Sequence, residues 1–240
     1  MNAVESKAGP RSRVVMVSGG SRGIGRAIVE ELAAHGWRVS VGARGPAAFD
    51  GYPPGQVRVY RFEATDPQSE DDWVAATVRD FGGIDALVHN AGILSTSSVI
   101  EASMEEVDRL FEVNVKSPLR LTQKAWPHLL AADEGKVLVM ASLAGKRVRS
   151  PGSSLYALSK AAVLSLAHGI RHCGAESRVR CTALCPGFVA TDMAAGVPGD
   201  QQALLTQPKD IARIARLALE LPATASVAES PVSWTVESQY

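Results

Sequence analysis

The stretch Arg13-Val-Val-Met-Val-Ser-Gly-Gly-Ser-Arg-Gly-Ile-Gly25 constrains this chain more than any other. Arg13 to Val17 is mostly β-branched or apolar, the pattern of a strand buried on both faces. Ser18 to Ile24 is a glycine-rich turn. From Gly25 the pattern becomes helical, with Ile28, Leu32 and Ala33 on one face and Arg26, Glu30 and Glu31 largely opposite. Strand, glycine turn and helix in that order make a cradle for a phosphate. Glycines let the backbone approach the anion, and the helix N-terminus offers free N–H groups and a partial positive charge.

The spacing of Gly19, Gly23 and Gly25 is G-x-x-x-G-x-G, not the commoner G-x-G-x-x-G. Gly19 suits a tight turn, Gly23 a close approach to a pyrophosphate, and Gly25 close packing of helix on strand. Two other readings share these residues. One is an ordinary glycine-rich turn; the other is a G-x-S-x-G nucleophile elbow at Gly19-Gly20-Ser21-Arg22-Gly23, with Ser21 as nucleophile.

The rest of the chain alternates strands with helices. Strands are expected at Trp37–Ala43, Val57–Phe62, Ile84–His89, Lys136–Ala141 and Arg178–Leu184, with an edge strand at Val232–Val236. Helices are expected from Pro67 to Phe81, from a capping box at Ser103 and Glu106 through Asn114 towards Leu130, from Leu155 to about Cys173, and from Pro208 to Leu221. Gly45 to Gln56 is too rich in proline and glycine for a crossover helix. Alternation with right-handed crossovers predicts an α/β fold: a doubly wound, Rossmann-type parallel sheet of about seven strands flanked by helices. Ligands bind such sheets beyond the carboxyl ends of the strands. There the chain puts Gly19, Arg44, Glu63, Asn90, Ser142 and Pro186.

At 240 residues the chain is expected to form one dinucleotide-binding and catalytic domain over 13–240, after a polar leader, 1–12, that lacks the apolar centre of a signal peptide. The 25 basic and 25 acidic residues cancel, which leaves no electrostatic case for nucleic acid or an anionic membrane. No apolar run is long enough to span a bilayer. Three cysteines, Cys173, Cys181 and Cys185, suit reduced thiols in the cytoplasm. Cys181 and Cys185 share a strand face without histidines at ligand spacing, so they are assigned to the core and no metal site is expected. His168 and His172, one helical turn apart, are assigned to a solvated face.

The chemistry points to Tyr156-Ala-Leu-Ser-Lys160. Positions i and i+4 lie one turn apart on the same face. A phenol with a reference pKa near 10 is a poor acid–base catalyst at neutral pH, and an ammonium one turn away lowers it. Ser142, ending the fifth strand, can meet a substrate oxygen. The plainer reading of Tyr156 and Lys160 is a solvated helix face.

Together these motifs resemble the short-chain dehydrogenase/reductase family over roughly residues 13 to 220: Ser18-Gly19-x-x-x-Gly23-Ile24-Gly25, Asn90-Ala91-Gly92, Asn114, Ser142, Tyr156-x-x-x-Lys160, and Pro186-Gly187 with Thr191. The resemblance implies an oxidoreductase that interconverts a carbonyl compound and a secondary alcohol. Tyr156 would be the general acid, and Lys160 would bind the nicotinamide ribose and depress the tyrosine. Ser142 would hold the carbonyl oxygen, and Asn114 a water linking Lys160 to solvent. Gly19, Ser21, Arg22, Gly23, Ile24 and Gly25 would carry the pyrophosphate. Glu63 and Ala64 would face the adenine, Asn90-Ala91-Gly92 the ribose, and Pro186, Gly187, Val189 and Thr191 the nicotinamide. It also implies a homo-oligomer, dimer or tetramer, with Asn114–Leu130 and Leu155–Cys173 as candidate interfaces.

The second strand ends in Arg44 with no carboxylate, and Arg22 lies in the turn, so NADP(H) is favoured over NAD(H). The substrate lid is expected at 190–207, carrying Met193, Val197, Leu204 and Leu205. Three features depart from the family pattern. Ser142 precedes Tyr156 by one residue more than usual, so the loop must bulge or Ser153 or Ser154 must stand in. The segment Gly45–Gln56 is short, and Pro222–Tyr240 lacks a glycine-rich ending. The alternative function is a catalytically silent NADP(H)-binding regulator or scaffold of the same fold.

Overall fold

The computed structural model describes residues 12–194 and 199–236. The expected leader therefore lies almost wholly outside the described residues, as does Val197 of the expected lid. Seven parallel strands form one sheet in the order β3-β2-β1-β4-β5-β6-β7. They are β1 (Val14–Ser18), β2 (Arg38–Ala43), β3 (Val57–Arg61), β4 (Ala86–His89), β5 (Lys136–Met140), β6 (Arg180–Pro186) and β7 (Glu229–Val232). Between them run α1 (Gly23–Ala34), α2 (Pro67–Phe81), α3 (Met104–Phe111), α4 (Ser117–Ala131), α5 (Ser154–Cys173), the short α6 (Gly199–Gln202) and α7 (Pro208–Glu220). The doubly wound sheet expected from the alternation is present, and β2 passes to β3 with no helix between them.

Successive strand residues point to opposite faces, and that alternation divides the core. Met16, Leu87, Val137 and Cys181 pack under Trp73 of α2, Leu121 of α4 and Val163 of α5. Val15, Val17, Val39, Val88 and Leu138 pack under Ile28 of α1 and Ile211 of α7. Cys181 and Cys185 are both core residues, as expected. Glycine at 42 admits the indole of Trp73: a Cβ there would lie 2.6 Å from its ring.

Local chemistry sets the helix ends. Asp66 caps α2, accepting from the N–H groups of Gln68 and Ser69 at 3.1 and 3.4 Å, with Pro67 at the first helical position. Gly82 ends it with φ 85°. Four expectations need correction. Helix α1 starts at Gly23, two residues earlier than read, because the glycine turn itself enters the helix. Ser103 does cap α3, but Glu106 turns away from the cap to bind the hydroxyls of Ser95 and Ser97, so no reciprocal box forms. The single helix expected through Asn114 is broken by a π-turn, Glu112–Lys116, into α3 and α4.

The last correction concerns the edge strand. It spans Glu229–Val232 and meets the expected range only at Val232. Hydrogen bonds from Ala183 N to Ala228 O and from Gly187 N to Val232 O set its register. Glu229 belongs there because its carboxylate is paired with Lys146 and with His168, the latter at 2.7 Å. His168 is therefore partnered, while His172 is exposed as expected.

Candidate active site

The sheet order reverses between β1 and β4, and the turns leaving those strands are locked together there. Ser18 Oγ accepts from the N–H groups of Asn90 and Ala91 at 3.0 and 3.1 Å. Asn90 Nδ2 donates back to the carbonyls of Ser18 and Gly19 at 3.2 and 3.1 Å. Gly19 takes φ 66°, in the left-handed region. A Cβ on Gly25 would lie 2.3 Å from Gly19 O and 2.4 Å from Asn90 Nδ2, so α1 can come this close only without a side chain.

Above this bend opens a cleft of about 710 Å³ along the carboxyl ends of the strands. Gly19, Ser21, Arg22, Gly23 and Ile24 line it, with Arg44 after β2, Glu63 and Ala64 after β3, and Asn90, Ala91 and Gly92 after β4. Ser142, Tyr156 and Lys160 line its other side, under Pro186, Gly187, Val189 and Thr191. Of the residues expected at the site, Gly25 and Asn114 do not line it. Gly25 packs the helix on the strand. Asn114, buried in the π-turn, spends its side chain as a brace. Its Oδ1 accepts from Ile93 N at 2.9 Å, and its Nδ2 donates to Ile93 O and Ser159 Oγ at 3.0 and 3.1 Å.

The cradle fits a pyrophosphate. No side chain caps the N-terminus of α1 and its first turn holds no acid, so its N–H groups and dipole face the cleft unopposed. Arg22 pairs with Asp192 at 2.8 Å, joining the turn to the lid across the mouth. Arg44 is exposed and has no hydrogen bond or ion pair among the described residues. On the adenosine side, Ser69 holds the backbone of Glu63, and Arg120 donates to Ala64 O at 2.9 Å. Arg120 also grips Glu70, a fully buried carboxylate, through two nitrogens at 2.9 and 3.1 Å.

Tyr156 sits in the first turn of α5, and Ser142 lines the cleft with it despite the longer loop, near enough to draw the phenol's pKa down. Ser142 caps a 3-10 turn, Leu143–Gly145, whose Gly145 lies so close to α5 that a Cβ would meet Lys160 O at 2.5 Å. Lys146 ties the turn's end to Glu229. The chain then passes through residues 146–150 to a second 3-10 turn, Pro151–Ser153, that leads into α5. Ser153 and Ser154 spend their hydroxyls locally: Ser153 Oγ donates to Ser150 O, and Ser154 Oγ to Pro151 O.

Lys160 is buried and donates to Met140 O at 2.8 Å, 5.7 Å from the centroid of the Tyr156 ring. Burial lowers its pKa to about 8. The depression expected at Tyr156 is not what these side chains produce together. Burial pushes the phenol up to about 12, opposed by the nearby Ser142 hydroxyl. The ammonium aims at a main-chain carbonyl rather than at the phenol oxygen, which explains its small effect. Cys185, buried beside them, has its thiol pushed up to about 11 by burial.

Val189 and Thr206 form a bridge at the two ends of the segment expected to be the lid. Leu205 packs down into the core, whereas Met193 and Leu204 are exposed. Motif reading missed several lining residues: Leu94, Arg109, Leu143, Arg147, Arg149 and Phe188. Arg147 and Arg149 had a usable signal, since they alternate within the loop joining Ser142 to Tyr156.

With the geometry described, comparison with known proteins is informative. A family model described as short chain dehydrogenase matches residues 13–202. The chain is 37% identical over 233 residues to an agropine synthesis reductase of Rhizobium rhizogenes, covering 95% of this chain and 54% of that protein. It thus spans about half the length of that relative. It is 31% identical over 229 residues to an uncharacterized oxidoreductase of Staphylococcus saprophyticus, covering 92% and 97% of the two chains. Among solved structures, an actinorhodin polyketide ketoreductase variant with NADPH is similar at a TM-score of 0.81 and 24% identity, covering 92% and 95%. Aldohexose dehydrogenase of Thermoplasma acidophilum gives 0.79 at 23%, covering 92% and 93%. Among the described residues no helix is long and apolar enough to cross a membrane.

Proposed function

The chain belongs to the short-chain dehydrogenase family, and from that premise we propose that it is an NADP(H)-dependent oxidoreductase interconverting a carbonyl compound and a secondary alcohol. The observation that carries this reading is that Ser142, Tyr156 and Lys160 line one cleft together, headed by the glycine bend. The nicotinamide, when bound, supplies or accepts a hydride. Tyr156 gives its proton to the substrate oxygen in reduction. Ser142 donates to the same oxygen and favours the charge that develops on it. Lys160 holds the ribose hydroxyls and returns the proton to Tyr156. Asn114 is a positioning residue that keeps the Gly92–Ile93 turn against α5.

Arg44 and Arg22 support a 2′-phosphate, because two guanidiniums on the adenosine side form charge-assisted hydrogen bonds to it. Glu63 and Ala64 edge the adenine subsite, and Pro186 to Thr191 close over the nicotinamide. A cytoplasmic homo-oligomer suits the reading: Leu119 and Leu130 on α4 and Leu158 on α5 are exposed on the two candidate interfaces. The regulator reading drew its support from the longer Ser142 loop. Ser142 lines the cleft with Tyr156 all the same, which supports the oxidoreductase reading.

The test is to follow oxidation of NADPH and of NADH against a panel of ketones, aldehydes and oxo acids, with Tyr156→Phe as control. Turnover lost in the control supports the reading. Tight cofactor binding with no turnover anywhere in the panel sinks it in favour of the regulator.

A further inference from the structure

Arg109 on α3 and Arg147 and Arg149 on the Ser142–Tyr156 loop line the cleft together with Arg22, Arg44 and Lys160. These six cations face two carboxylates on the same wall, Glu63 and Asp192. The whole chain, by contrast, has 25 basic and 25 acidic residues. The positive excess is thus a property of the cleft, where walls of low dielectric focus it. Asp192 is paired with Arg22, so it does not offset the others.

The cations fall into two groups that one anion does not span. Arg22 and Arg44 follow β1 and β2, while Arg147 and Arg149 follow β5 by way of Ser142. In the sheet order β2 and β5 are three strands apart, roughly 14 Å at the usual strand spacing. The first pair faces the phosphate side, and the second shares a loop with the group that meets the substrate oxygen.

Local geometry aims the second pair inward. Arg147 and Arg149 both line the cleft and Val148 does not. Val148, between them, is 62% exposed and turned away. Lys146, just before the pair, is neutralised by Glu229. Arg149 has no hydrogen bond or ion pair among the described residues.

We propose that Arg149, with Arg147 beside it, binds a carboxylate on the substrate, so that the substrate class is an oxo acid rather than a neutral ketone or aldehyde. This rests on the oxidoreductase reading above. A guanidinium fork matches a carboxylate in geometry as well as charge. Held at two points, by Arg149 through the carboxylate and by Ser142 and Tyr156 through the carbonyl oxygen, the substrate presents its carbonyl carbon in a fixed orientation.

The experiment sets 2-oxobutanoate, 3-oxobutanoate and 4-oxopentanoate against their methyl esters, using the full chain. It reads kcat/KM with saturating reduced cofactor, and Kd by calorimetry in the presence of oxidised cofactor. At least one acid is expected to exceed its ester about tenfold in both, the scale of a hydrogen-bonded charge contact. Arg149→Gln should cut that acid-over-ester preference about tenfold, mainly through KM, and Arg149→Lys should keep part of it. Val148→Ala, the control for loop disturbance, should keep all of it. Esters that match the acids, a preference unmoved by Arg149→Gln, or acids that neither bind nor react overturn the proposal. Arg149-dependent binding of an acid without any cofactor oxidation keeps the carboxylate site and overturns the oxidoreductase reading instead.

Discussion

Lys160 donates to the main-chain oxygen of Met140 at 2.8 Å, which fixes its ammonium to the end of β5. Tyr156 is held one turn earlier on α5 and lines the cleft with Ser142, so β5, α5 and the Ser142 turn come together there. Burial acts on the two ionisable groups in opposite directions: Lys160 falls to about 8 and Tyr156 rises to about 12.

A pH profile should reflect that order. In the proposed mechanism reduction needs the proton on Tyr156 and, for ribose binding and proton return, the charge on Lys160. As pH rises, Lys160 loses its proton first. The kcat/KM for carbonyl reduction is therefore expected to hold level below about pH 8 and to fall above it. A profile that stays flat to pH 10 contradicts this.

Removing the hydroxyls should separate chemistry from binding. Tyr156→Phe is expected to lower kcat by about 10²–10⁴-fold, the range for a positioned general acid. Ser142→Ala should cost about 10²–10³-fold, the range for one donor to a developing oxyanion. Cofactor Kd by fluorescence titration should move little for Ser142→Ala, since that hydroxyl faces the substrate oxygen.

Cofactor preference is testable at Arg44, which makes no ion pair among the described residues. A hydrogen bond to a charged group contributes about 1.5–3 kcal/mol, roughly 10–100-fold in affinity. Arg44→Ala should weaken NADPH by that factor and leave NADH within about twofold. Equal losses for both cofactors would count against a 2′-phosphate contact.

Stability should depend on pH through His89. It is buried at the end of β4 with Nε2 2.7 Å from Thr122 Oγ1, and burial pushes its pKa down to about 3. Thr122 donates its own proton to Pro118 O, so Nε2 carries the hydrogen towards Thr122. The neutral ring is the folded form. Its contribution is complete above about pH 6.5, the ordinary histidine value, and is lost as pH falls towards 3, by up to about 1.4 kcal/mol per unit. Thermal melts should show a shallower acid slope for His89→Gln than for the wild type.

The ion cluster joining α2 to α4 offers a larger effect. Glu70 is fully buried and binds Ser117 and Arg120. Glu70→Ala leaves the half-buried Arg120 without its main partner and should cost about 3 kcal/mol in denaturant unfolding. Because Arg120 also holds Ala64 O, cofactor affinity should fall with it.

Where local chemistry acts within a few residues, the elements were legible. Asp66, Pro67 and Gly82 bound α2 where expected, because cap, first position and left-handed exit are local requirements. The glycine bend and the Tyr156–Lys160 spacing belong to the same class. Edge strand β7 was misplaced because Glu229 looks like a loop residue until Lys146 and His168, distant in sequence, pair with it. The π-turn at Glu112–Lys116 was hidden for a similar reason. None of residues 112–116 breaks a helix by itself, but Pro118 has no N–H to give to Asn114 O, and the Asn114 side chain is drawn to Ile93 and Ser159.

The chain's own order of residues determined a parallel α/β sheet, a phosphate-sized bend after β1, and a phenol and an amine one turn apart, since each follows from backbone geometry over a short span. Tertiary packing alone decided that Ser142 meets Tyr156, that Lys160 turns to Met140, and that Arg147 and Arg149 join Arg44 around one cleft. Those relations depend on burial and on contacts between residues far apart along the chain, where desolvation and distance, not spacing, set the energies.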